Sequence, residues 1–375
     1  MKHKTLVTVL LVLALAMSAL LGGCQSKDLP AATVGDREIT VQQLKTAYAS
    51  GLDYASYYGY DTSTAEGKTS YRDYMLDSLI ATSMKVYQAK LAGITLTADE
   101  QTAAEQTAQK NYDDTFQSFV DQATQAGASN PEAYAKTLFT KALVSNKTTV
   151  SKLKDTMLED AVDNTLISKH KEVLLQGISL SEDELAQKYA DELAAQKEAF
   201  TTDPSLYFSY ESYSTYGYSA IPLFVPEGFF RVRQILVADE ATAALVKQKI
   251  DAGEDFEALL KEYNTDPGMQ DEANAAGYLV GTGASYVESF LNAALALAKD
   301  GDVSAPVQSD YGWHIIKRVS TEASHEIPYA DVKGQLDAYE QTLYQNQYYS
   351  DLVAGWVADN TLVTKYPDNY ASIGQ

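Results

Sequence analysis

The sequence predicts an α+β protein in which a helix-rich part, formed by both ends of the chain, carries a small inserted domain with one β-sheet. Helix-starting motifs and long amphipathic stretches fill the first half of the chain, and from Phe230 the pattern changes to short alternating strands. Residues 324–358 then return to a helical pattern. We therefore expect residues 33–226 and 321–375 to form one unit around an inserted domain at residues 227–320.

The first residues predict export and lipid attachment. Two lysines precede an uncharged apolar run at residues 5–21, which ends in the lipobox Leu21-Gly-Gly-Cys24. Residues 1–23 would be a signal peptide, the thiol of Cys24 would receive diacylglycerol, and residues 24–32 would form a tether. A single membrane anchor is the alternative, but the run is shorter than the roughly 20 residues that a spanning helix needs.

The net charge of the chain and its single cysteine argue against several kinds of partner and site. The formal net charge is −22, and removal of residues 1–23, which hold two lysines and no acid, makes it −22 − 2 = −24. Such an acidic chain is a poor ligand for nucleic acid or for an anionic membrane surface, whereas homodimer formation stays open. Cys24 is the only cysteine, and His170 and His325 show no metal-ligand spacing, so we expect no disulfide and no metal site.

A local motif that starts helices occurs three times. At Thr40–Gln43, Thr97–Glu100 and Ser181–Glu184, a Ser or Thr is followed three residues later by Gln or Glu. This is the capping box, in which both side chains bond to free backbone N–H groups at the start of a helix. Gly93 and Gly177 precede the two later copies and are suited to end the preceding helices.

The stretches between these motifs follow helical periodicity. Apolar residues predict helices over residues 71–91, 99–125 and 130–176. Residues 33–39 predict a strand and a turn, and residues 360–366 a further strand.

Tyrosines are concentrated in two groups, and each group allows two interpretations. The first comprises Tyr54, Tyr57, Tyr58 and Tyr60, and the second comprises Tyr207, Tyr210, Tyr213, Tyr216 and Tyr218 with Phe208 and Phe224. They could form a surface that binds client polypeptides, because tyrosine offers apolar contact and a hydroxyl at low entropic cost. They could equally pack a loop-rich linker onto the helices.

The second part of the chain predicts a small α+β domain with one sheet. Its elements are strands at 232–237, 277–280, 305–308 and 314–319, helices at 239–250, 255–260 and 287–297, and a Pro-Gly turn at 263–268.

This domain resembles the parvulin-type peptidyl-prolyl isomerases over residues 230–319. The resemblance rests on Arg233-Gln-Ile-Leu-Val237, Gly253-Glu-Asp-Phe256, Tyr263-Asn-Thr-Asp-Pro-Gly268, Phe290-Leu-Asn-Ala-Ala-Leu-Ala-Leu297, Val303-Ser-Ala-Pro-Val307 and Tyr311-Gly-Trp-His-Ile-Ile-Lys317. With the lipobox and the helical flanks, the chain also resembles PrsA-like foldase lipoproteins and SurA-like chaperones. The resemblance implies a four-stranded antiparallel sheet with helices, inserted in a helix-rich chaperone domain. It also implies cofactor-free isomerisation of X–Pro bonds in unfolded or newly exported polypeptides.

The resemblance also implies where the substrate binds. In parvulins an apolar pocket faces a polar cluster of two histidines and a Cys or Asp. The pocket positions correspond to Tyr286 and Phe290, with Leu279 as a third wall, and His314 is the second histidine.

Two positions depart from the family pattern. Gln234 stands where the first strand should carry the other histidine, and Ala275 aligns with the Cys or Asp. Gln234 still donates and accepts hydrogen bonds, but Ala275 replaces neither a carboxylate nor a thiol. His314 could therefore be a hydrogen-bonded core residue instead of a catalyst.

Three functions compete on this basis. The first is a membrane-anchored extracytoplasmic foldase, and the second is a holdase chaperone whose parvulin-like domain binds proline-containing segments without turning them over. The third, a solute-binding lipoprotein, shares the lipobox, but the chain lacks the alternating βαβ pattern of two-lobed binding proteins.

Overall fold

The computed structural model describes residues 29–146, 148–359 and 361–375. The signal peptide, Cys24 and most of the expected tether lie outside these residues. The chain divides into two compact units: the described residues up to Ile178 together with Gln345–Gln375, and the segment Ser179–Tyr344. Among the described helices, none combines the length and the apolar character needed to cross a bilayer.

The helices are α1 Val41–Gly51, α2 Ala65–Leu91, α3 Ala98–Gln125, α4 Pro131–Ser145, α5 Val150–Leu175, α6 Glu182–Thr202, α7 Leu206–Thr215, α8 Glu240–Asp251, α9 Phe256–Tyr263, α10 Glu288–Leu295, α11 Tyr329–Ala358 and α12 Pro367–Tyr370. Short 3-10 turns lie at Leu52–Tyr54, Pro267–Gln270 and Glu272–Asn274. The strands are β1 Pro30–Val34, β2 Arg37–Thr40, β3 Phe224–Val225, β4 Phe230–Val237, β5 Tyr278–Val280, β6 Val307–Ser309, β7 Gly312–Thr321, β8 His325–Glu326 and β9 Val363–Lys365.

The first unit joins both ends of the chain in one small sheet. Its strand order is β2-β1-β9, so the strand near the C-terminus pairs with the first strand, with Val34 opposite Val363. β1 begins at Pro30, which shortens the expected tether, because residues 30–32 already pair in this sheet. The core that this sheet shares with α1 and α2 contains Leu44, Leu76, Ile80 and Met84.

All three predicted capping boxes are present. The Thr40 hydroxyl accepts a hydrogen bond from Gln43 N at 3.1 Å, and the Gln43 side chain accepts one from Thr40 N at 2.6 Å. The same reciprocal pair starts α3 at Thr97 and α6 at Ser181. Each motif therefore fixes the first residue of its helix.

Two predicted helices are shorter than the sequence pattern indicated. The stretch 130–176 is divided into α4 and α5, because the Thr149 hydroxyl accepts a hydrogen bond from Lys152 N at 3.2 Å and starts a new helix. The helix predicted from Ser324 starts only at Tyr329, after Pro328, because His325–Glu326 pairs with Phe224–Val225 as a strand.

The second unit begins well before residue 227. Helices α6 and α7 belong to it because Phe200, Tyr207 and Phe208 share an apolar cluster with Val225 and Phe229. The predicted α+β class is confirmed, since the unit contains a four-stranded antiparallel sheet of order β5-β4-β7-β6.

This sheet has a different cluster on each face. One face packs Ile235, Val237 and Ile315 against α8 and α9. The other packs Val232 and Ile316 against Phe290 of α10. In the register of β4 and β7, Leu236 lies opposite His314 and Gln234 opposite Ile316. Side chains two residues apart on a strand share a face, so Gln234 and His314 lie diagonally across the two central strands.

Candidate active site

A line of polar side chains, buried except for the half-buried Ser309, crosses the sheet on the α10 face. His314 Nδ1 lies 2.6 Å from Gln234 Oε1, and Gln234 Nε2 donates to Asp266 Oδ2 at 2.6 Å. At the other end, His314 Nε2 lies 2.6 Å from Ser309 Oγ. The structure therefore brings together the predicted pair Gln234 and His314 and adds two residues, Asp266 and Ser309, to them.

The chemistry of the groups fixes the direction of these hydrogen bonds. A carboxylate only accepts, so the Gln234 amide turns its NH₂ to Asp266 and its oxygen to the histidine. The Nδ1 atom of His314 must then carry a hydrogen, and in the neutral imidazole Nε2 is the acceptor for the Ser309 hydroxyl. The line thus runs from Ser309 through a neutral His314 and Gln234 to Asp266.

The Asp266 carboxylate accepts hydrogen bonds from two further donors of the site. Besides Gln234, its carboxylate accepts the Tyr278 hydroxyl at 2.8 Å and the backbone N–H of Gly268 at 2.9 Å. Tyr278 approaches so closely that a Cβ added at Gly268 would lie 1.9 Å from its hydroxyl oxygen, so a larger residue there would displace that hydroxyl. The carboxylate is therefore held where three donors converge.

Asn264 attaches this turn to the sheet. Its Oδ1 accepts the backbone N–H of Leu236 at 2.9 Å and that of Asp266 at 3.1 Å, while its Nδ2 donates to the Asp266 carbonyl at 2.9 Å. One amide side chain thus joins β4 to the turn and sets the position of the carboxylate.

The acidic group of this polar line does not stand at Ala275. The Ala275 carbonyl accepts a hydrogen bond from Arg233 Nη1 at 2.9 Å, and the carboxylate of the polar line comes from Asp266 instead. The motif Tyr263-Asn-Thr-Asp-Pro-Gly268 contained the signal, because an Asp at a turn joined to the first strand can point back to that strand.

Burial sets the protonation of the site. It lowers the pKa of His314 below 6.5, and the charge of Asp266 opposes this shift only in part, so the imidazole is neutral near neutral pH. Burial, together with the hydrogen bond to Asp266, raises the pKa of Tyr278. The Tyr278 hydroxyl therefore keeps its proton and remains a donor to the carboxylate.

Aromatic rings cover the polar line. The Phe290 and His314 rings meet in a T-shaped arrangement with 5.5 Å between their centroids, and the Tyr286 ring lies 5.2 Å from that of Phe290. Phe290 is 2% exposed and His314 3%, whereas Tyr286 is only half-buried. The Tyr286 hydroxyl donates to the Leu279 carbonyl at 3.2 Å, and burial raises its pKa to about 12.

Leu279 belongs mainly to the neighbouring aromatic cluster. Its side chain packs with Phe208 and Phe229, and it joins the site through the carbonyl that accepts the Tyr286 hydroxyl. Tyr286 touches both this cluster and the one around Phe290. The role of Leu279 as a third wall of the pocket stays a prediction.

The two tyrosine groups are divided between packing and exposure. Tyr60 packs on the core of the first unit, and Tyr207 is buried in the second. Tyr57 and Tyr216 stand out into solvent, at 85% and 72% exposed. Within the described residues, no three His, Cys, Asp or Glu side chains are placed to hold a metal ion.

Comparison with known proteins agrees with this geometry. Residues 218–334 match the family model of the PPIC-type PPIASE domain. A protein named Foldase protein PrsA from Clostridium acetobutylicum is 28% identical over 320 residues, which cover 84% of this chain and 78% of that protein. Foldase protein PrsA 1 from Bacillus cereus is 37% identical over 125 residues, so the chain spans 42% of its length.

The chain is also similar to a solved structure. The crystal structure of PrsA from Bacillus subtilis is 20% identical, covers 89% of this chain and 94% of its own, and has a TM-score of 0.22. The resemblance to parvulins is confirmed: residues 218–334 form a PPIC-type peptidyl-prolyl isomerase domain, in a chain similar to the PrsA foldases.

Proposed function

We propose that this chain is an extracytoplasmic foldase that isomerises X–Pro bonds in newly exported polypeptides and binds these polypeptides while they fold. The observation that carries the proposal is the hydrogen-bonded line from Ser309 through His314 and Gln234 to Asp266, covered by the ring of Phe290. The lipobox supports export and a lipid anchor on Cys24.

Isomerisation makes particular demands on a site. Rotation about the X–Pro amide faces a barrier of ~18–20 kcal/mol, because the bond has partial double-bond character. No bond is made or broken, so the protein only has to bind the twisted amide more tightly than the planar one. The twisted amide has lost conjugation and is less polar, so an apolar site from which water is excluded favours it.

The residues of the site divide this work. The rings of Tyr286 and Phe290 supply the apolar surface for the prolyl ring. His314 and Gln234 hold the two central strands in register and present an uncharged edge to the substrate, while Asp266 orients the Gln234 amide. We infer that Tyr286 turns outward when substrate enters, because Phe290 and His314 are almost fully covered and one 3.2 Å hydrogen bond holds the Tyr286 hydroxyl.

The second candidate is a holdase that binds proline-containing segments without turning them over. The covered state of Phe290 and His314 favours it, because a client that meets a closed site is retained by other surfaces of the chain. Gln234 also favours it, since an amide does not supply the second histidine of the family pattern.

A protease-coupled assay with a proline-containing peptide separates the two. We would use the Cys24→Ser chain, which carries no lipid, and measure isomerisation alongside the aggregation of an unfolded client. The foldase proposal expects a rate above the uncatalysed background. A background rate with aggregation still suppressed would favour the holdase, and background in both measurements would contradict both functions.

A further inference from the structure

Four tyrosines of the first unit form an exposed surface that we name the tyrosine platform: Tyr54, Tyr57, Tyr58 and Tyr74. Their side chains are 58%, 85%, 56% and 38% exposed, respectively. Single exposed apolar residues are normal, but a contiguous group of large ones marks an interaction surface.

The platform is built on a buried support. The Tyr57 and Tyr58 rings lie 5.4 Å apart, Tyr58 lies 5.8 Å from Tyr74, and Tyr74 stacks on Tyr71 at 6.3 Å. Tyr71 is 1% exposed and belongs to the core of the unit. The rings of Tyr57, Tyr58 and Tyr74 therefore extend a packed aromatic row, and Tyr54 joins them through the backbone of the same loop.

The loop that carries the platform is also fixed by its backbone. Tyr58 N donates to Tyr54 O at 3.3 Å, and Tyr60 N donates to Ala55 O at 3.0 Å. Ala55 is buried in the core cluster and holds the loop to the unit. A surface that is ordered before binding loses little entropy when a partner arrives.

The surroundings of the platform are acidic. Residues 52–77 contain five carboxylates and two basic side chains, which gives 2 − 5 = −3. Within the described part of the chain, no salt bridge involves Asp53 or Glu66. A depression of about 360 Å³ adjoins the loop and is lined in part by Tyr60, Asp61 and Glu66.

We propose that the tyrosine platform binds extended, unfolded polypeptide segments that carry cationic and apolar side chains. The faces of tyrosine rings attract Lys and Arg, and the negative charge of residues 52–77 complements the same cations. A second copy of the chain fits poorly, because each copy carries a formal net charge of −22, and an anionic membrane is opposed by the same charge. This inference rests on the proposed function, in that it names the kind of client segment the foldase holds.

The test uses two labelled, proline-free peptides, one of alternating Lys and Leu and one in which Glu replaces Lys. Binding to the Cys24→Ser chain is measured by fluorescence anisotropy, with and without the further change Tyr57→Ser/Tyr58→Ser. We expect the Lys peptide to bind and the double substitution to weaken it about tenfold, since two exposed ring contacts are lost. We also expect the Glu peptide to bind the Cys24→Ser chain weakly. Its affinity should be no higher than that of the Lys peptide for the Tyr57→Ser/Tyr58→Ser variant.

A matched control is the double variant Tyr216→Ser/Tyr218→Ser. These two tyrosines of the second unit are also exposed, at 72% and 79%, and their rings stack at 6.2 Å. The control should keep wild-type affinity for the Lys peptide. Equal losses in both variants, or equal affinities for the two peptides, would overturn the proposal.

Two further measurements exclude other occupants. If the tyrosine substitutions instead abolish binding of the Cys24→Ser chain to phosphatidylglycerol vesicles or convert a dimer into a monomer in sedimentation, a membrane or a second copy is the partner and the proposal fails. Because the peptides lack proline, isomerase activity is tested separately. A chain that binds the Lys peptide through the platform but lacks isomerase activity would contradict only the proposed isomerase function.

Discussion

The two faces of the four-stranded sheet are formed by the same central strands but are held together in different ways. On one face Ile235, Val237 and Ile315 pack against α8 and α9 in a purely apolar cluster. On the other, Gln234 and His314 lie between apolar neighbours and are buried to almost the same degree. The first face needs only complementary shapes, whereas the second needs a partner for every polar atom.

The difference shows how a polar site survives inside a core. A buried donor or acceptor without a partner costs about 1–3 kcal/mol, so an incomplete polar line would destabilise the domain. Here each member is paired: Ser309 donates to His314, His314 to Gln234, and Gln234 to Asp266. The second face can therefore carry uncharged chemistry at little cost in stability.

The largest expected effect separates the two faces directly. Phe290→Ala on the polar face and Phe256→Ala on the apolar face each remove a buried ring, and we expect each to lower the free energy of unfolding by about 3–5 kcal/mol. Only Phe290→Ala should bring isomerase activity to background, because Phe256 lies on the face away from the polar line. Urea unfolding and the protease-coupled assay provide the two measurements.

The milder pair Phe290→Leu and Phe256→Leu serves as the control if the alanine variants fail to fold. Equal losses of isomerase activity in the two Leu variants would show that the activity depends on the stability of the domain and not on the ring of Phe290 in the pocket.

The next effect tests Asp266. Asp266→Ala leaves the Gln234 amide, the Tyr278 hydroxyl and the Gly268 N–H without their common acceptor, and we expect a loss of about 3 kcal/mol in the free energy of unfolding. Isomerase activity should fall at least tenfold, because the Gln234 amide is then free to rotate. Thermal unfolding and the prolyl-peptide assay measure both.

The control for this prediction is a second acid at the position first aligned with the family carboxylate. Adding Ala275→Asp to Asp266→Ala should restore neither stability nor activity, because the Ala275 carbonyl is engaged with Arg233 and not with the polar line. Recovery of activity in the double variant would mean that Ala275 is the acidic position after all.

The sequence was most informative where a signal was local. The capping boxes at Thr40, Thr97 and Ser181 placed three helix starts correctly, because the partners lie three residues apart. The break at Thr149 was missed, since a single capping hydroxyl within a continuous helical pattern competes with strong periodicity.

The candidate site was predictable only in part for a related reason. Gln234 and His314 followed from strand register and the family pattern. Asp266 was hidden, because Asp-Pro-Gly is itself a strong turn signal and its bond to Gln234 joins residues 32 apart. Ser309 gave no separate signal, since a serine before a hairpin is common.

A third prediction concerns pH and the neutral state of His314. The unfolded chain takes up a proton at this histidine near pH 6.5, whereas burial lowers the pKa in the folded chain, so folding excludes that proton. The free energy of unfolding should therefore fall as the pH drops below 6.5 and stop falling once the pH lies below the lowered value. Above 6.5 the histidine contributes no pH dependence.

Burial also lowers the pKa of His170, so the wild type alone cannot report on His314. The contribution of His314 is the difference in pH dependence between the wild type and a variant without this histidine. Urea unfolding of the wild type and of His314→Gln from pH 5 to 8 supplies it, and the variant should show the smaller slope. Identical slopes would show that the pKa of His314 is the same in the folded and the unfolded chain, which would contradict the lowering by burial.

The smallest expected effect lies at the end of the polar line. Ser309→Ala removes the hydroxyl that donates to His314 Nε2, and we expect a loss of about 1 kcal/mol in stability and about threefold in kcat/KM. The exposed end of the line can recruit water in place of the hydroxyl, which is why the effect is smaller than at Asp266. Ser309→Thr keeps the hydroxyl and should retain both properties, so a threonine variant as impaired as the alanine variant would assign the loss to hairpin packing and not to the hydrogen bond.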